Sequence, residues 1–176
     1  TLVCDCVVMD LEDGVAPAEK PAARRVIADA LRGIEFGPRE RLVRINAVGT
    51  AEYHRDLEAL DIARIDALFV PKVETAADLH AIDWLIANLE RERDLAVGSL
   101  ELMPIVETAV GISRIDRILQ ARSLKPYSGV WRVRRVAFGA GDYSHDLGLS
   151  PTHDEPELAH ARARLVLASR TAGLEG

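Results

Sequence analysis

The chain alternates between short apolar runs and longer segments of helical periodicity, and the alternation occurs five times. The apolar runs cover residues 2–11, 42–45, 67–70, 100–106 and 133–138, and the helical segments cover residues 17–32, 51–60, 75–93, 112–121 and 155–171. The runs lack strict polar alternation, which indicates strands that are buried on both faces. Such strand–helix units predict an α/β fold with a parallel sheet covered by helices.

The polar residues at the ends of these runs favour a barrel over an open doubly wound sheet. An open sheet usually marks its ligand site with a glycine-rich first turn, whereas residues 10–14 here are acidic and contain one glycine. Every run instead ends in charged or polar groups, as on the active face of a (β/α)8 barrel. These groups are Asp10, Glu12, Asp13, Arg44, Asn46, Lys72, Glu74, Glu107, Thr108 and Asp142.

The chain is short for a complete barrel. A TIM (β/α)8 barrel has about 250 residues and eight units, whereas this chain has 176 residues and five units. We therefore expect a single domain over residues 1–176, a barrel truncated to about five βα units. The expected barrel lacks one or more units before Thr1 and a further two or so after Gly176.

Composition narrows the range of partners. The 22 basic and 28 acidic side chains give a net charge of −6, which disfavours nucleic acid, because a phosphate-binding face needs a surplus of Lys and Arg. We expect the basic run 132–135 to be a solvated entry to a strand. No stretch approaches the roughly 20 apolar residues of a membrane span, so no membrane partner is expected. Cys4 and Cys6 are expected to be core residues on one strand face, and the lack of a disulfide or zinc pattern favours a reducing, cytoplasmic compartment.

Two carboxylates follow neighbouring strands in positions that suit a divalent cation. Glu107 comes after the run 100–106, and Asp142 comes after the next run and a glycine-containing turn. Hard oxygen ligands from adjacent strand ends suit Mg²⁺, which takes one or two carboxylates and keeps its other positions for water or substrate. Gly139 and Gly141 would let a substrate approach the backbone. The alternative is a Glu in the first turn of a helix and an Asp in a turn, with no metal.

Arg44 and Lys72 are the cationic candidates at the same edge. An arginine inside an apolar run is costly unless it is paired, and its planar fork binds carboxylates in a bidentate manner. An ion pair of Arg44 with an acid in residues 10–13 and capture of a substrate carboxylate both stay open. Lys72 could form a Schiff base if burial lowered its pKa, but Glu74 and other nearby acids favour the charged ammonium, so we expect an ion-pair role.

Six motifs, in a consistent order, carry a resemblance to a known family. They are residues 7–15 (VVMDLEDGV), Lys20 with Ala23 and Arg24, residues 43–46 (VRIN), 70–74 (VPKVE), 105–109 (IVETA) and 137–143 (AFGAGDY). Across roughly residues 4–148 the chain resembles the HpcH/HpaI aldolase and citrate lyase β-subunit family, and within it the CitE-like acyl-CoA lyases.

The resemblance implies a TIM barrel that forms a homo-oligomer, a trimer or hexamer, and that holds Mg²⁺ or Mn²⁺. It implies that Glu107 and Asp142 are the metal ligands and that Arg44 is catalytic and binds the substrate carboxylate or carbonyl. Glu12 and Asp13 would be catalytic residues of the mouth that support Arg44 and metal-bound water. The substrate-binding backbone is implied to be that of Gly139, Ala140 and Gly141.

The function that the resemblance implies is a Mg²⁺-dependent carbon–carbon lyase. Such an enzyme cleaves or condenses a 3-hydroxyacyl-CoA thioester, such as citryl-, malyl- or citramalyl-CoA, into an acyl-CoA and a 2-oxo acid. Two alternatives stay open: a CoA-independent pyruvate aldolase acting on 4-hydroxy-2-oxo acids, and a non-catalytic subunit of a larger lyase complex. In CitE-like lyases a closing segment supplies an acid/base Asp to a neighbouring subunit, and no residue of this sequence can be assigned that role.

Overall fold

The computed structural model describes residues 3–175, and this part of the chain contains one sheet of five strands. The strands are β1 (Cys6–Asp10), β2 (Glu40–Arg44), β3 (Ala67–Val70), β4 (Glu101–Val106) and β5 (Ala137–Phe138). They lie in the order β1-β2-β3-β4-β5, and every neighbouring pair is parallel. A doubly wound sheet reverses its strand order, whereas sequential order with right-handed crossovers places every helix on one face, as in a barrel. The prediction of an α/β fold with five units of a (β/α)8 barrel is therefore confirmed. Leu2, in the first predicted run, lies outside the described residues.

The helices of the described chain follow the strands as the sequence pattern predicts, except that the fourth predicted helix is divided in two and one helix is added. They are α1 (Lys20–Gly33), α2 (Ala51–Ala59), α3 (Ala76–Glu92), α4 (Ala109–Ser113), α5 (Ile115–Ala121), α6 (Ala140–Asp146) and α7 (Ala159–Ala172). The segment that forms α6 lies between the predicted strand 133–138 and the predicted helix 155–171, and no helix was predicted there. Its glycine content gives it weak helix propensity, and burial of Tyr143 against Phe138, with ring centroids 5.3 Å apart, supplies the stabilisation instead. None of the helices in the described part of the chain has the length and apolar character that a membrane span requires.

Side-chain caps begin two helices immediately after their strands. Thr75 and Asp78 form a capping box at α3, in which the Asp78 N–H donates to Thr75 Oγ1 at 3.3 Å and the Thr75 N–H donates to Asp78 Oδ2 at 2.8 Å. Thr108 Oγ1 accepts from the Gly111 N–H at 3.0 Å at the start of α4. Caps of this kind satisfy N–H groups that have no partner inside the helix. They keep the loops after β3 and β4 short, so that the polar groups at the strand ends are held close to the sheet.

The strands bury side chains on two faces. Val43, Leu68 and Leu102 belong to the main core, which also contains buried residues of the helices. The opposite face carries a smaller cluster formed by Leu42, Ala67 and Met103, with Phe69 packed against it. The strand register places Asp10 beside Arg44 and Arg44 beside Phe69. Because paired residues of neighbouring strands share a face, Asp10 and Arg44 lie on the face of the smaller cluster, which is the inner face of the barrel.

Two expectations about buried and exposed residues are wrong. Cys4 and Cys6 are exposed, because β1 is an edge strand of the described sheet. Arg132 is fully buried rather than solvated, and it donates from Nε to Asp83 Oδ1 at 2.5 Å and from Nη2 to Glu90 Oε2 at 2.8 Å. Two carboxylates of α3 therefore compensate the buried guanidinium. Burial alone would raise the pKa of Glu90, but the hydrogen bonds from Arg132 and from two backbone N–H groups lower it overall.

Candidate active site at the carboxyl edge of the sheet

Polar side chains from all five βα units meet at the carboxyl edge of the sheet. Five of them are carboxyl groups and two are cations: Asp10, Glu12, Asp13, Glu107 and Asp142, with Arg44 and Lys72. They are brought together because parallel strands end at a common edge, which in a barrel is the active face. The acidic groups outnumber the cations at this edge, which is electrostatically suited to a bound cation.

Arg44 ends β2 and is held by two acids of the β1 unit. Its Nε donates to Asp10 Oδ1 at 2.7 Å, its Nη2 donates to Asp10 Oδ2 at 2.5 Å, and its Nη1 lies 3.2 Å from Glu12 Oε2. The hydrogen bonds with Asp10, together with the nearby charges of Glu12 and Glu107, raise the pKa of Arg44 despite its partial burial. A guanidinium has five N–H donors, so these contacts leave donors on both Nη atoms for a ligand. The ion-pair alternative is confirmed, and it leaves carboxylate capture possible.

Asp10 also orders the acidic loop that follows β1. Its two carboxylate oxygens accept from the N–H of Glu12 at 2.9 Å and from the N–H of Gly14 at 3.0 Å. A Cβ atom at Gly14 would lie 2.3 Å from Asp10 Oδ2, so a larger residue there would displace the Asp10 carboxylate from this position. Asp10 therefore fixes both the guanidinium of Arg44 and the loop that carries Glu12. The sequence marks Asp10 only as one possible partner of Arg44.

Lys72 joins the acidic loop to β3 and β4. Its Nζ donates to Glu12 Oε1 at 2.5 Å and to Asp13 Oδ2 at 2.8 Å, and its backbone N–H donates to Glu107 Oε1 at 2.8 Å. The predicted ion-pair role is borne out, but its partners lie in the β1 unit, whereas Glu74 accepts from Thr108. Burial alone would lower the pKa of Lys72, and its hydrogen bonds with Asp13 and Glu12 raise it overall. A protonated amine is not a nucleophile, so these contacts oppose Schiff-base chemistry.

Glu107 is the most buried carboxyl group of the site, with 2% of its surface exposed. Burial, together with the neighbouring charges of Asp142 and Glu12, raises its pKa to about 7. Its carboxylate lies against the backbone of Gly139, where a Cβ atom would be only 2.1 Å from Glu107 Oε2. Asp142, at the start of α6, is half-buried and accepts no hydrogen bond from the described residues. Carboxylate oxygens are hard metal ligands, and those of Glu107 and Asp142 are not all engaged in hydrogen bonds. This pair therefore fits Mg²⁺ or Mn²⁺.

The residues of the glycine-containing turn before Asp142 have different roles at the site, because one provides space and the others provide backbone N–H groups. The N–H of Gly139 donates to the Val106 carbonyl at 3.3 Å, so it is engaged in the sheet and Gly139 provides room for Glu107. Ala140 and Gly141 begin α6, where first-turn N–H groups have no partner inside the helix. Nothing lies within 4 Å of a Cβ position at Gly141, which is exposed.

A buried polar network supports the acidic loop from behind, and of its members only Asn46 was predicted to lie at this edge. Lys20 Nζ donates to the carbonyls of Leu11 and Glu12 at 2.8 and 2.9 Å and to Asn46 Oδ1 at 2.7 Å. Asn46 Nδ2 in turn donates to the Leu11 carbonyl and to Asp56, at 2.8 Å in both cases. A lysine with three satisfied donors tolerates burial. Lys20 belongs to the second family motif, so its importance could be suspected from the sequence. The direction in which its side chain points could not be predicted from the sequence.

The fold and this site define a class of protein, namely a (β/α)8-barrel protein with a polar site at the carboxyl ends of its strands. This site combines an arginine held in ion pairs, a buried carboxyl group and a second acid. The chain belongs to the HpcH/HpaI aldolase/citrate lyase family, whose characteristic sequence matches residues 1–175. It is 36% identical over 170 residues to the citrate lyase subunit beta of Leuconostoc mesenteroides subsp. cremoris, covering 97% of this chain and 54% of that protein. It is 34% identical over 190 residues to the L-malyl-CoA/beta-methylmalyl-CoA lyase of Rhodobacter capsulatus, covering 97% and 57%.

Solved structures of relatives share the fold. The protein CitE of Mycobacterium tuberculosis in complex with magnesium, acetoacetate and coenzyme A superposes with a TM-score of 0.71 at 32% identity, covering 97% of this chain and 55% of that chain. The citrate lyase beta subunit from M. tuberculosis complexed with oxaloacetate and magnesium gives a TM-score of 0.70 at 32% identity, covering 97% and 66%. The chain thus spans little more than half the length of the curated relatives described above.

Proposed function

We propose that this chain carries the metal and oxo-acid site of a Mg²⁺-dependent carbon–carbon lyase. The substrate would be a 3-hydroxyacyl-CoA thioester such as citryl-, malyl- or citramalyl-CoA, which is cleaved to, or condensed from, an acyl-CoA and a 2-oxo acid. The observation that carries the proposal is the meeting of Arg44, Glu107 and Asp142 at one edge of the sheet. The citrate lyase and malyl-CoA lyase relatives, and the CitE complex with magnesium, acetoacetate and coenzyme A, support the same reaction class.

Glu107 and Asp142 are the proposed ligands of Mg²⁺ or Mn²⁺. Both offer hard carboxylate oxygens, and the missing Cβ of Gly139 leaves the space that the Glu107 carboxylate occupies. The raised pKa of Glu107 supports this assignment, because a buried carboxyl group beside other acids gains most from a nearby cation. When bound, the cation supplies Lewis-acid stabilisation of developing negative charge on the oxo acid.

The residues around the proposed ligands bind and orient the substrate. Arg44 offers its remaining N–H donors to the carboxylate of the oxo acid, and its clamping by Asp10 fixes the direction of the fork. Glu12 and Asp13 are proposed to act catalytically by holding Arg44, Lys72 and nearby water in place. The backbone of the partly buried Ala140 and of the exposed Gly141 is proposed to pack against the substrate. These groups are preorganised by contacts that exist before substrate binds, which is how electrostatic stabilisation becomes effective.

The test is a substrate panel with metal control. The purified protein is incubated with citryl-, malyl- and citramalyl-CoA, and separately with 4-hydroxy-2-oxo acids, in Mg²⁺ or in EDTA, and the acyl-CoA and oxo-acid products are measured. We expect Mg²⁺-dependent cleavage of a CoA thioester and a loss of about a hundredfold or more in Glu107→Gln, because Lewis-acid stabilisation contributes several kcal/mol.

The other outcomes separate the alternatives. Cleavage of hydroxy-oxo acids without CoA would favour the pyruvate aldolase, and Mn²⁺ binding without turnover would favour a non-catalytic subunit. Turnover that persists in EDTA and in Glu107→Gln would refute the proposed site. The proposal includes assembly into a homo-oligomer, a trimer or hexamer, which light scattering after size-exclusion chromatography measures directly.

A further inference from the structure

The acids of this site offer two competing ways to hold a cation. Glu107 and Asp142 are one pair, and Glu12, Asp13 and Asp142 are a second group, in which one carboxylate oxygen from each residue lies within 4.8 Å of the others. A cation held by the second group would spend more of its coordination positions on protein oxygens. Mg²⁺ needs about six ligands in a near-ideal octahedron, so the choice between the two groups decides how many positions are left for substrate.

Lys72 lies where it decides this competition. Its Nζ contacts Glu12 Oε1 at 2.5 Å and Asp13 Oδ2 at 2.8 Å, while the other oxygen of Glu12 accepts from the Asp13 N–H at 3.1 Å and faces Arg44 Nη1 at 3.2 Å. Both oxygens of Glu12 and one oxygen of Asp13 are therefore already occupied by donors. Asp142, the member shared by the two groups, is not contacted by Lys72.

The backbone of Lys72 indicates that this placement is specific. Lys72 has a φ of +53°, in the left-handed region that residues other than glycine rarely adopt. This conformation lets one residue send its N–H to Glu107 Oε1 and its Nζ to the acids of the β1 unit. Strained backbone of this kind persists where surrounding contacts hold it, and it is concentrated at functional sites.

We propose that Lys72 is a positioning residue that keeps Glu12 and Asp13 out of the metal coordination sphere and thereby leaves open positions for the substrate. Lys72 acts as a permanent counter-ion for the acidic loop, so the cation is directed to Glu107 and Asp142. This inference rests on the proposed metal site and adds to it a reason for a lysine among the acids.

The test uses Mn²⁺ as the probe and needs no substrate. Titration followed by electron paramagnetic resonance gives the dissociation constant, and water-proton relaxation gives the number of water molecules on the bound ion. We expect Lys72→Met to bind Mn²⁺ about tenfold more tightly, because a nearby positive charge is removed and one carboxylate oxygen each of Glu12 and Asp13 is released. Fewer water molecules should remain on the ion, whereas a merely structural role would weaken binding. Lys72→Arg should retain the wild-type water number, and Lys125→Met, at an exposed lysine elsewhere, should change neither quantity.

A second substitution identifies the released ligand. Asp13→Asn should leave the water number unchanged in the wild-type background, and it should restore the wild-type water number when combined with Lys72→Met. Looser or unchanged Mn²⁺ binding in Lys72→Met, or a changed water number in Asp13→Asn alone, would overturn the inference. If Lys72→Met does not fold by circular dichroism, Lys72→Gln, which removes the same charge, is measured in its place with the same expected results.

A failure of the underlying metal site has a different signature. If the wild-type protein binds no Mn²⁺, or if Glu107→Gln binds it as well as wild type, the proposed ligands are wrong and this inference is overturned with them. If Glu107→Gln loses binding while Lys72→Met behaves as wild type, only the role of Lys72 is overturned.

Discussion

Replacing Gly139 with alanine tests whether the site depends on the space beside Glu107. A Cβ atom at position 139 would lie 2.1 Å from Glu107 Oε2, 2.5 Å from Glu107 Cβ and 3.0 Å from Glu107 Cδ. A rotation of the carboxylate relieves only the contact with Oε2, because Glu107 Cβ is fixed to the backbone next to β4. The backbone of one strand end must therefore shift as well.

The size of the effect follows from these contacts. Overpacking in a well-packed region costs about 1–3 kcal/mol, and a clash with a backbone-anchored atom places Gly139→Ala in the upper part, about 2–3 kcal/mol. For a chain of this length that corresponds to a decrease of about 4–12 °C in Tm. Mn²⁺ affinity should fall as well, because Glu107 is displaced from its position.

The assay is thermal unfolding followed by circular dichroism, together with Mn²⁺ titration, and the chain contains a matched control. Gly141→Ala lies two residues further along, where nothing is within 4 Å of the added Cβ, and it lies inside α6. Alanine is favoured over glycine in a helix by about 1 kcal/mol, so this variant should be as stable as wild type or more stable. Equal stability and equal Mn²⁺ affinity of Gly139→Ala and Gly141→Ala would refute the steric reasoning.

Three further predictions concern other parts of the molecule. Arg132→Met should lower the free energy of unfolding by about 3–5 kcal/mol, because it leaves two buried carboxylates unpaired, and Lys125→Met is the exposed control in the same denaturant titrations. The hydrogen bond from Arg41 lowers the pKa of Asp66, so this pair should stabilise the fold above the unfolded-state pKa of about 3.9, with the contribution lost as pH falls through the lower folded pKa. Asp66→Asn should flatten that part of the stability profile, and an unchanged profile would contradict the assignment. Borohydride treatment with pyruvate should add no mass to Lys72, since its amine is protonated, and a trapped adduct in the mass spectrum would restore the Schiff-base alternative.

The meeting of polar groups at one edge of the sheet could be predicted from the sequence because strand ends carry them. Arg44, Glu107 and Asp142 each follow or end an apolar run, and parallel strands deliver such residues to a common edge whatever their separation along the chain. The helices were predicted equally well where apolar periodicity is strong, as in α1 and α3. The prediction failed at α6, because its residues favour turns locally and the helix is stabilised by tertiary packing, in particular of Tyr143.

The burial of individual side chains and the direction in which they point could not be predicted from the sequence. The run 132–135 has the composition of a solvated segment, and Arg132 is buried only because α3 presents Asp83 and Glu90 to it. Cys4 and Cys6 have the composition of core residues, and they are exposed because of the place of β1 at an edge of the described sheet. The partners of Arg132 lie more than 40 residues away in the sequence, and the position of a strand in a sheet is likewise not a local property.

The amino-acid sequence by itself determined the α/β class, the family and the identity of the chemical groups at the carboxyl edge, because hydrophobic periodicity and residue type are local properties. Tertiary structure alone decided which acid faces which cation. The ammonium of Lys72 reaches Glu12 and Asp13 across about 60 residues, and its backbone has a left-handed conformation that the residue type of lysine does not predict. Likewise, glycine is needed at position 139 because the Glu107 side chain lies so close to it. That distance is set by the pairing of β4 with β5.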